Sequence, residues 1–488
     1  MKTSKAILWL RNDLRLSDNA ALAAAAQHEQ LLIIYILEDV EDWPMGGASR
    51  WWLHHSLAAL QGDLKEKNQE LLFYRGNAET CILSLIKELG IGAVYWNRRY
   101  EKHHIDIDTA VKHAVKNLGA TCQSFKGNLI NEPWEVLKKD KTPYQVYTPY
   151  WRTKLAIPGE PVVHSPPKKL PPAVGTATKS SCKLASLSLL PKIPWDQEIK
   201  SMWQPGEKSA LKRLKHVLKQ IIGNYDTLRN IPDVDGTSKL SPHLHFGEIS
   251  PQRIWDEVVG VFGSVAKIKN KDVEQFLKEI IWREFAAHLL FHFPKTDKEP
   301  LRDKFLNFPW EDRPDDFRSW CKGQTGYPLI DAGMRQLWQH GWMHNRVRMV
   351  VGSFLVKDLR VHWNEGSRWF WDTLLDADLA SNTMGWQWAA GSGADAAPYF
   401  RVFNPSLQSK KFDPDGHYIR TFVPELKHMP NEWIHEPWEA PAAVLIKAKV
   451  ELDVTYPKPI VDHFEEKLLA LKAYDRLKSA SRIEDEEA

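Results

Sequence analysis

The stretch Ala6-Ile7-Leu8-Trp9-Leu10-Arg11-Asn12-Asp13-Leu14-Arg15-Leu16-Ser17-Asp18-Asn19 decides the fold of the first part of this 488-residue chain. Five apolar residues, the length of a strand, give way to a charged loop, as in a buried strand at its C-terminal end. Apolar, β-branched or aromatic runs of similar length recur at 31–37, 71–74, 93–96 and 121–125, with helix-like segments at 49–66 and 79–89 between them. Strands alternating with helices predict βαβ units around a parallel sheet. No Gly-rich phosphate loop follows the first strand, so an ordinary dinucleotide site of that type is disfavoured in this half.

Composition shifts after residue 156. Proline pairs stand at 166–167 and 171–172, and a Ser/Lys-rich segment follows, which reads as a long linker over the surface. From Glu207 onward strand signals nearly vanish. Helical patterns take over at 209–222, 251–262, 272–292, 328–340, 343–356 and 366–375. The expected organisation is an α/β domain over 1–135, a connector over 136–205, an all-α domain over 206–475 and a flexible acidic tail over 476–488. No internal repeat is visible.

Composition sets outer bounds. The 43% hydrophobic and 26% charged content is that of an ordinary globular protein. No run of ~18 apolar residues predicts a membrane span. The first apolar run is short and broken by Arg11, Asn12 and Asp13, unlike a signal peptide, so a cytoplasmic protein is expected. Cys81, Cys122, Cys182 and Cys321 are too scattered for a zinc or iron–sulfur motif, and no metal is expected. A net charge of +3 permits nucleic-acid binding without demanding it. The 22 tryptophans imply either a large aromatic core or a site that needs flat, redox-active rings.

Four constellations carry chemistry. Gly236-Thr237-Ser238-Lys239-Leu240-Ser241-Pro242, preceded by Tyr225 and Arg229, places hydroxyls and amides just before a helical pattern, as for gripping a pyrophosphate. A plain helix N-cap is the alternative. On the 272–292 helix Glu279, Trp282 and Arg283 share a face, either as a pocket wall or as a surface ion pair. Asn345, Arg348 and Met349 share another helical face. His340 and His344 are four residues apart but lack an HExxH pattern, so they read as structural or solvent-facing. Asp376, Asp378 and Asn382 precede Gly391-Ser392-Gly393, and no third carboxylate or histidine stands nearby to make a metal site.

Taken together, these motifs resemble the DNA photolyase/cryptochrome family. The likeness covers RNDLRLSDN at 11–19, WNRRYE at 96–101, GTSKLSPHLHFGEIS at 236–250 and EIIWREF at 279–285. It continues in FPW at 308–310, TGYPLIDAGMRQL at 325–337, GWMHNRVRM at 341–349 and GWQWAAGSGADAAPYFRVFNP at 385–405. It implies an α/β amino-terminal antenna domain with a parallel five-stranded, Rossmann-like sheet, a long connector and an all-α FAD-binding carboxy-terminal domain.

The resemblance also implies roles. Tyr225, Thr237, Ser238, Lys239, Leu240 and Ser241 would hold the FAD phosphates. Phe276, Glu279, Arg283 and Arg348 would form the cofactor wall, with Asp376 and Asp378 near the flavin and ribose. Asn382 would face N5 of the flavin, where a neutral amide adds no charge beside a reduced, anionic ring; plant cryptochromes carry Asp there. Glu279, Trp282, Asn345, Met349 and Trp388 match the lesion pocket of members that repair cyclobutane pyrimidine dimers, most like class I. The (6-4) photolyases have histidines where Asn345 and Met349 stand. Trp386, Trp363 and Trp310 match the family's tryptophan wire.

Arg346 and Arg401, with Lys410 and Lys411 nearby, are candidates for phosphate contacts along UV-damaged DNA. The implied reaction is light-driven electron transfer from reduced FAD to a flipped dimer, with Glu279 and Asn382 in catalytic roles. A cryptochrome-like photoreceptor without repair is the alternative. His103 and His104 replace the Asn-Glu pair of folate-binding relatives. A 5,10-methenyltetrahydrofolate antenna is still the first expectation, with 8-hydroxy-5-deazaflavin or FMN possible, and the chain is expected to be monomeric.

Overall fold

Strand β1 (Lys5–Leu10) lies at the centre of a five-stranded sheet with β2 (Gln30–Leu37), β3 (Leu71–Arg75), β4 (Ala93–Asn97) and β5 (Thr121–Phe125). The order is β3-β2-β1-β4-β5 and every pairing is parallel. The computed structural model describes residues 5–40, 42–159, 161–175, 181–263, 269–396, 398–399 and 401–487. The parallel order requires crossovers, and the Gly47–Lys65, Ala78–Leu89 and Lys102–Asn117 helices supply them. Helices on both faces bury β1 completely, which explains its unbroken apolar run. Ile7, Trp9, Ile34, Tyr74, Val94 and Trp96 form one core cluster.

At the C-terminal end of β1 the charged loop turns inward. Arg11 pairs with Asp108 at 2.7 Å, both buried, and its guanidinium lies 4.5 Å over the Trp9 ring. Asn97 Nδ2 donates to Asp13 Oδ2 (2.7 Å) and Trp96 Nε1 donates to Asp108 Oδ2 (2.9 Å). Arg15 is 1% exposed and donates to the carbonyls of Asp18, Gly127 and Gly247. These side chains do the work of a clasp where a nucleotide-binding sheet would have a glycine loop.

Compactness divides the chain into one unit of Met1–Gly223, Ser238–Pro294 and Leu375–Asp378, and a second of Asn224–Thr237, Lys295–Leu374 and Leu379–Ala488. The division does not follow the boundaries expected at 135, 205 and 475. Within the first unit, Leu14 N donates to Phe246 O (3.1 Å) and Asn12 Nδ2 to His245 O (3.0 Å), so residues past 238 pack with the sheet.

The connector is also less free than its composition implies. Val174 N bonds to Leu31 O and Cys182 N to Phe73 O, so connector backbone pairs with strands β2 and β3. The pairing at Phe73 covers part of the sheet edge. Leu170, Leu187 and Leu189 are buried. Residues 176–180, part of the Ser/Lys-rich stretch, lie outside the described residues.

The second unit is helical. Its C-terminal helix, His463–Glu487, runs through the segment expected to be a flexible tail from 476. The reason is packing: Ala470, Ala473 and Leu477 bury against Phe305, Phe308 and Tyr399. Glu466 binds Arg313 (2.9 Å) and Arg360, and His463 Nδ1 meets Asp358 at 2.5 Å.

Candidate functional site

The sequence-assigned site residues fall in both units. In the first, Ser238 precedes the five-residue helix Ser241–His245, and Lys239 holds the left-handed conformation (φ 52°). The N-cap alternative is not what forms. Leu240 stands at the cap with no side-chain bond, and the Ser238 hydroxyl accepts from Leu240 N at 3.3 Å. The Ser238 carbonyl accepts from Arg213 Nε (2.7 Å), which fixes the loop.

The Lys271–His292 helix carries Phe276, Glu279, Trp282 and Arg283. Phe276 is 1% exposed and packs into the core. Glu279 Oε1 accepts from Gln275 Nε2 at 2.7 Å. Arg283 donates to the carbonyls of Asn128 (2.7 Å) and Leu244 (3.4 Å), so it also braces this unit. Trp282 lies flat on Tyr147, with ring centroids 3.6 Å apart and planes 8° off parallel. The Tyr147 hydroxyl donates to Lys278 O, which fixes that shelf. Sequence reading passed over Tyr147, although the aromatic run YQVYTPYW at 144–151 was a signal. Asp376 and Asp378 are joined through backbone, Asp378 N to Asp376 O at 2.7 Å, and His245 lies 3.9 Å from the Asp378 carboxylate.

In the second unit, Tyr225 opens the short helix Tyr225–Leu228 and is buried; Thr237 closes the same sequence segment. The Asn345–Ser353 helix sets Asn345, Arg346, Arg348 and Met349 in one place. Asn345 Nδ2 lies 3.9 Å and Arg346 Nη1 3.6 Å from Met349 Sδ. Arg346 also donates to Asn230 Oδ1 (2.5 Å) and sits 4.6 Å over the Phe412 ring. Arg348 Nε donates to Met343 O at 2.7 Å. Trp388 is half-buried with its ring 6.3 Å from Phe403, and Arg401 is exposed, its carbonyl accepting from the buried Lys357. Lys410 is paired with Glu436 at 2.5 Å and Lys411 lies 5.2 Å over Phe412.

His344 caps the Asn345–Ser353 helix, its Nδ1 accepting from Arg346 N at 3.2 Å. Burial, reinforced by Arg346, Arg348 and Arg229, pushes its imidazole down to about 3. It therefore stays neutral at physiological pH. The unfolded chain takes up this proton near pH 6.5 and the folded one does not. Stability is thus full above pH ~6.5 and falls as pH drops toward 3, by about 1.4 kcal/mol at pH 5.5. His344→Asn keeps a capping acceptor, an amide oxygen in place of Nδ1, without that titration. The expected result is a smaller loss of unfolding midpoint between pH 7.5 and 5.5 than in the parent.

Asn382 is buried on the Leu379–Ala390 helix. Both of its amide hydrogens go to Ser367, Nδ2 to the backbone carbonyl at 3.0 Å and to the hydroxyl at 2.9 Å. A carbonyl only accepts, so this fixes the amide orientation and leaves Oδ1 as the outward group. Asn382→Asp would set a carboxylate against the Ser367 carbonyl. The expected result is a raised carboxyl pKa and a loss of about 1–3 kcal/mol that grows with pH, read as an unfolding midpoint falling from pH 5 to 8.

Trp310, Trp363 and Trp386 all lie in the second unit. Trp310 is half-buried, 5.1 Å from His362, which stacks at 5.6 Å on the buried Trp363. Trp386 packs at 5.0 Å on Phe370 and 6.1 Å from Trp320. His362 thus bridges two members of the expected wire. At the antenna positions, His104 is buried beside Glu101 (3.6 Å) and held well below its ordinary pKa by burial.

The donor set suits an FAD. In the first unit hydroxyls and a left-handed lysine stand in one loop, and in the second Asn382 offers a fixed acceptor oxygen. Residues 276–476 match the model of the FAD binding domain of DNA photolyase, and residues 6–171 match the DNA photolyase model. A doubly wound parallel sheet followed by such a helical region is the build of an FAD-dependent flavoprotein.

The chain belongs to the DNA photolyase/cryptochrome family. It is 47% identical over 485 residues to a deoxyribodipyrimidine photo-lyase of Agrobacterium fabrum, covering 99% of this chain and 100% of that one. It is 40% identical to cryptochrome-2 of Arabidopsis thaliana, covering 98% of this chain and 79% of that one. The solved structure of a class III photolyase from Agrobacterium tumefaciens superposes with a TM-score of 0.93 at 48% identity, over 98% of each chain. That match gives the class I assignment no support.

Proposed function

We propose that this chain repairs cyclobutane pyrimidine dimers in DNA by light-driven electron transfer, as a deoxyribodipyrimidine photolyase. The observation that carries the reading is the Asn345–Met349 pair. Its accessible groups are an amide and a thioether, and the adjacent His344 is buried and neutral. Such a surface positions a lesion without moving a proton to it, which suits bond cleavage by electron transfer over (6-4) repair.

Bound FAD supplies the light-excited electron donor. The chain's own residues do the rest. Trp282, shelved on Tyr147, presents a rigid ring for a flipped base to stack on. Asn345 and Glu279 bond to base edges, and Trp388 closes on the lesion. Arg346, braced by Asn230, and the exposed Arg401 hold flanking phosphates without reading sequence. Lys410 is already paired and contributes less. Tyr225, Thr237, Ser238, Lys239, Leu240 and Ser241 would hold the cofactor phosphates, and Asn382, its amide fixed by Ser367, would offer Oδ1 to the flavin ring. Trp386, Trp363 and Trp310 relay electrons inward from solvent, with His362 packed between the last two.

Among the described residues no helix is long and apolar enough to cross a membrane. Cryptochromes are also among the relatives, so the photoreceptor reading is the one to separate. The test is blue-light treatment of thymine-dimer and (6-4) oligonucleotides with chemically reduced protein and a dark control. Light-dependent repair of the dimer alone is expected; tight flavin binding with neither lesion repaired would move the chain to the photoreceptors. The absorption spectrum of the same preparation reports whether a folate accompanies the flavin.

A further inference from the structure

Among the described residues, His362 is the ring that touches two members of the proposed relay. Its centroid lies 5.1 Å from that of Trp310, edge-on at 64°, and 5.6 Å from that of Trp363, with the planes 27° apart. Trp310 and Trp363 make no ring contact with each other among the described residues. All three belong to the second unit. Trp363 is 1% exposed, while His362 and Trp310 are half-buried, so the three rings run from the interior toward the surface.

Backbone holds the imidazole in that place. His362 caps the Trp363–Thr373 helix, its Nδ1 accepting from Asn364 N at 3.1 Å. An Nδ1 that accepts carries no hydrogen, so the ring keeps its proton on Nε2. The charged groups of the adjoining segments are Glu311, Asp312 and Arg313 beside Trp310, Arg360 before the cap, and Glu365 and Lys298 on the helix side. Arg313 and Arg360 both bind Glu466, and Glu311 lies 3.5 Å from Arg360. None of these charges shifts the imidazole, which burial alone holds below its ordinary pKa. It is therefore neutral at about pH 7.5 and takes up a proton only on the acid side of ~6.5.

We propose that the neutral His362 ring is the bridge for the electron step between Trp310 and Trp363, and that its protonation slows that step. The inference rests on the relay reading above. At this step Trp363 has already given an electron toward Trp386 and is a radical cation. One electron passes from Trp310 across the imidazole, so Trp363 is restored and Trp310 becomes the radical cation. His362 is neither oxidised nor protonated in the passage. A neutral ring in contact with both indoles fills the gap between them with π density. An imidazolium in the same place would repel a radical cation on either indole, so the positive charge would stay back at Trp386.

Two variants of the FAD-loaded full chain separate the ring from the cap. His362→Asn keeps an acceptor for Asn364 N and removes the ring; His362→Phe keeps a ring and removes both the acceptor and the titration. His362→Asn should hold the parent's unfolding midpoint and slow photoreduction of the oxidised flavoprotein at least tenfold. His362→Phe should do the reverse, with a lower midpoint and photoreduction close to the parent's rate. The parent should slow as the medium is made acid, and His362→Phe should not share that slowing. By NMR, the His362 imidazole resonance, identified by its loss in His362→Asn, should titrate over the range in which the parent slows. Trp310→Phe is the control for the relay: if it photoreduces as fast as the parent, the relay falls and the bridge with it. If Trp310→Phe is slow while His362→Asn matches the parent, the relay stands and the bridge is overturned. Rates that simply follow the unfolding midpoints overturn it as well, and identical acid profiles for the parent and His362→Phe overturn the role of protonation.

Discussion

Gly247→Ala should cost the first unit roughly 3–5 kcal/mol, among the largest effects of any single methyl in this protein. Gly247 has φ +64°, where an L side chain loses about 1–2 kcal/mol from backbone sterics alone. The added Cβ would also overlap the Asn12 carbonyl oxygen. Relief requires moving the loop that carries the Leu14–Phe246, Asn12–His245 and Arg15–Gly247 bonds, and Arg15 is buried with no water to replace the lost partner. Denaturant unfolding reads the loss. Gly260→Ala provides the internal comparison, since that glycine lies in the last turn of its helix with open space around it and alanine should stabilise by up to about 0.5–1 kcal/mol. Equal midpoints for the two variants would refute the clasp.

The same contacts show why the fold was largely legible in the sequence and its long-range packing was not. Strand and helix periods are local, so all five strands and the Pro251–Phe262 and Pro328–His340 helices fall at or within a residue or two of where the patterns put them. Whether RNDLRLSDN packs against residues 245–247 depends on partners more than two hundred residues away, and no local period carries that information. Connector burial escaped for the same reason: Leu170 and Val174 are isolated apolar residues beside prolines, and the connector backbone finds its partners on Leu31 and Phe73, far away in the sequence.

Site residues were legible by type and not by state. Helical spacing put Asn345 and Met349 on one face, and the structure brings them together. The orientation of Asn382 came from Ser367, fifteen residues earlier and unremarkable in sequence. Trp282 likewise depends on Tyr147, a neighbour that spacing along its own helix does not reveal. His344 read as structural or solvent-facing, and the cap bond to Arg346 with its three surrounding arginines makes it structural and neutral.

Gly366→Ala tests the aromatic packing on which the proposed tryptophan relay depends. Gly366 lies on the Trp363–Thr373 helix, where a Cβ would overlap Cη2 and Cζ3 of Trp386 and crowd Leu355. Leu355 can rotate, but Trp386 is 3% exposed and wedged against Phe370 and Trp320, so the indole must shift or the helices must part. Overpacking of this kind costs about 1–3 kcal/mol, and a clash with a wedged indole belongs at the upper end. A displaced Trp386 should slow photoreduction of the oxidised flavoprotein at least tenfold, while protein reduced chemically beforehand still repairs dimers in light. Trp386→Phe removes the two ring atoms that clash. The double variant should therefore be more stable than Gly366→Ala alone, with a coupling of about 1–3 kcal/mol, even though each single change destabilises. Additive losses would place the strain elsewhere, and unchanged photoreduction in Gly366→Ala would remove Trp386 from the relay.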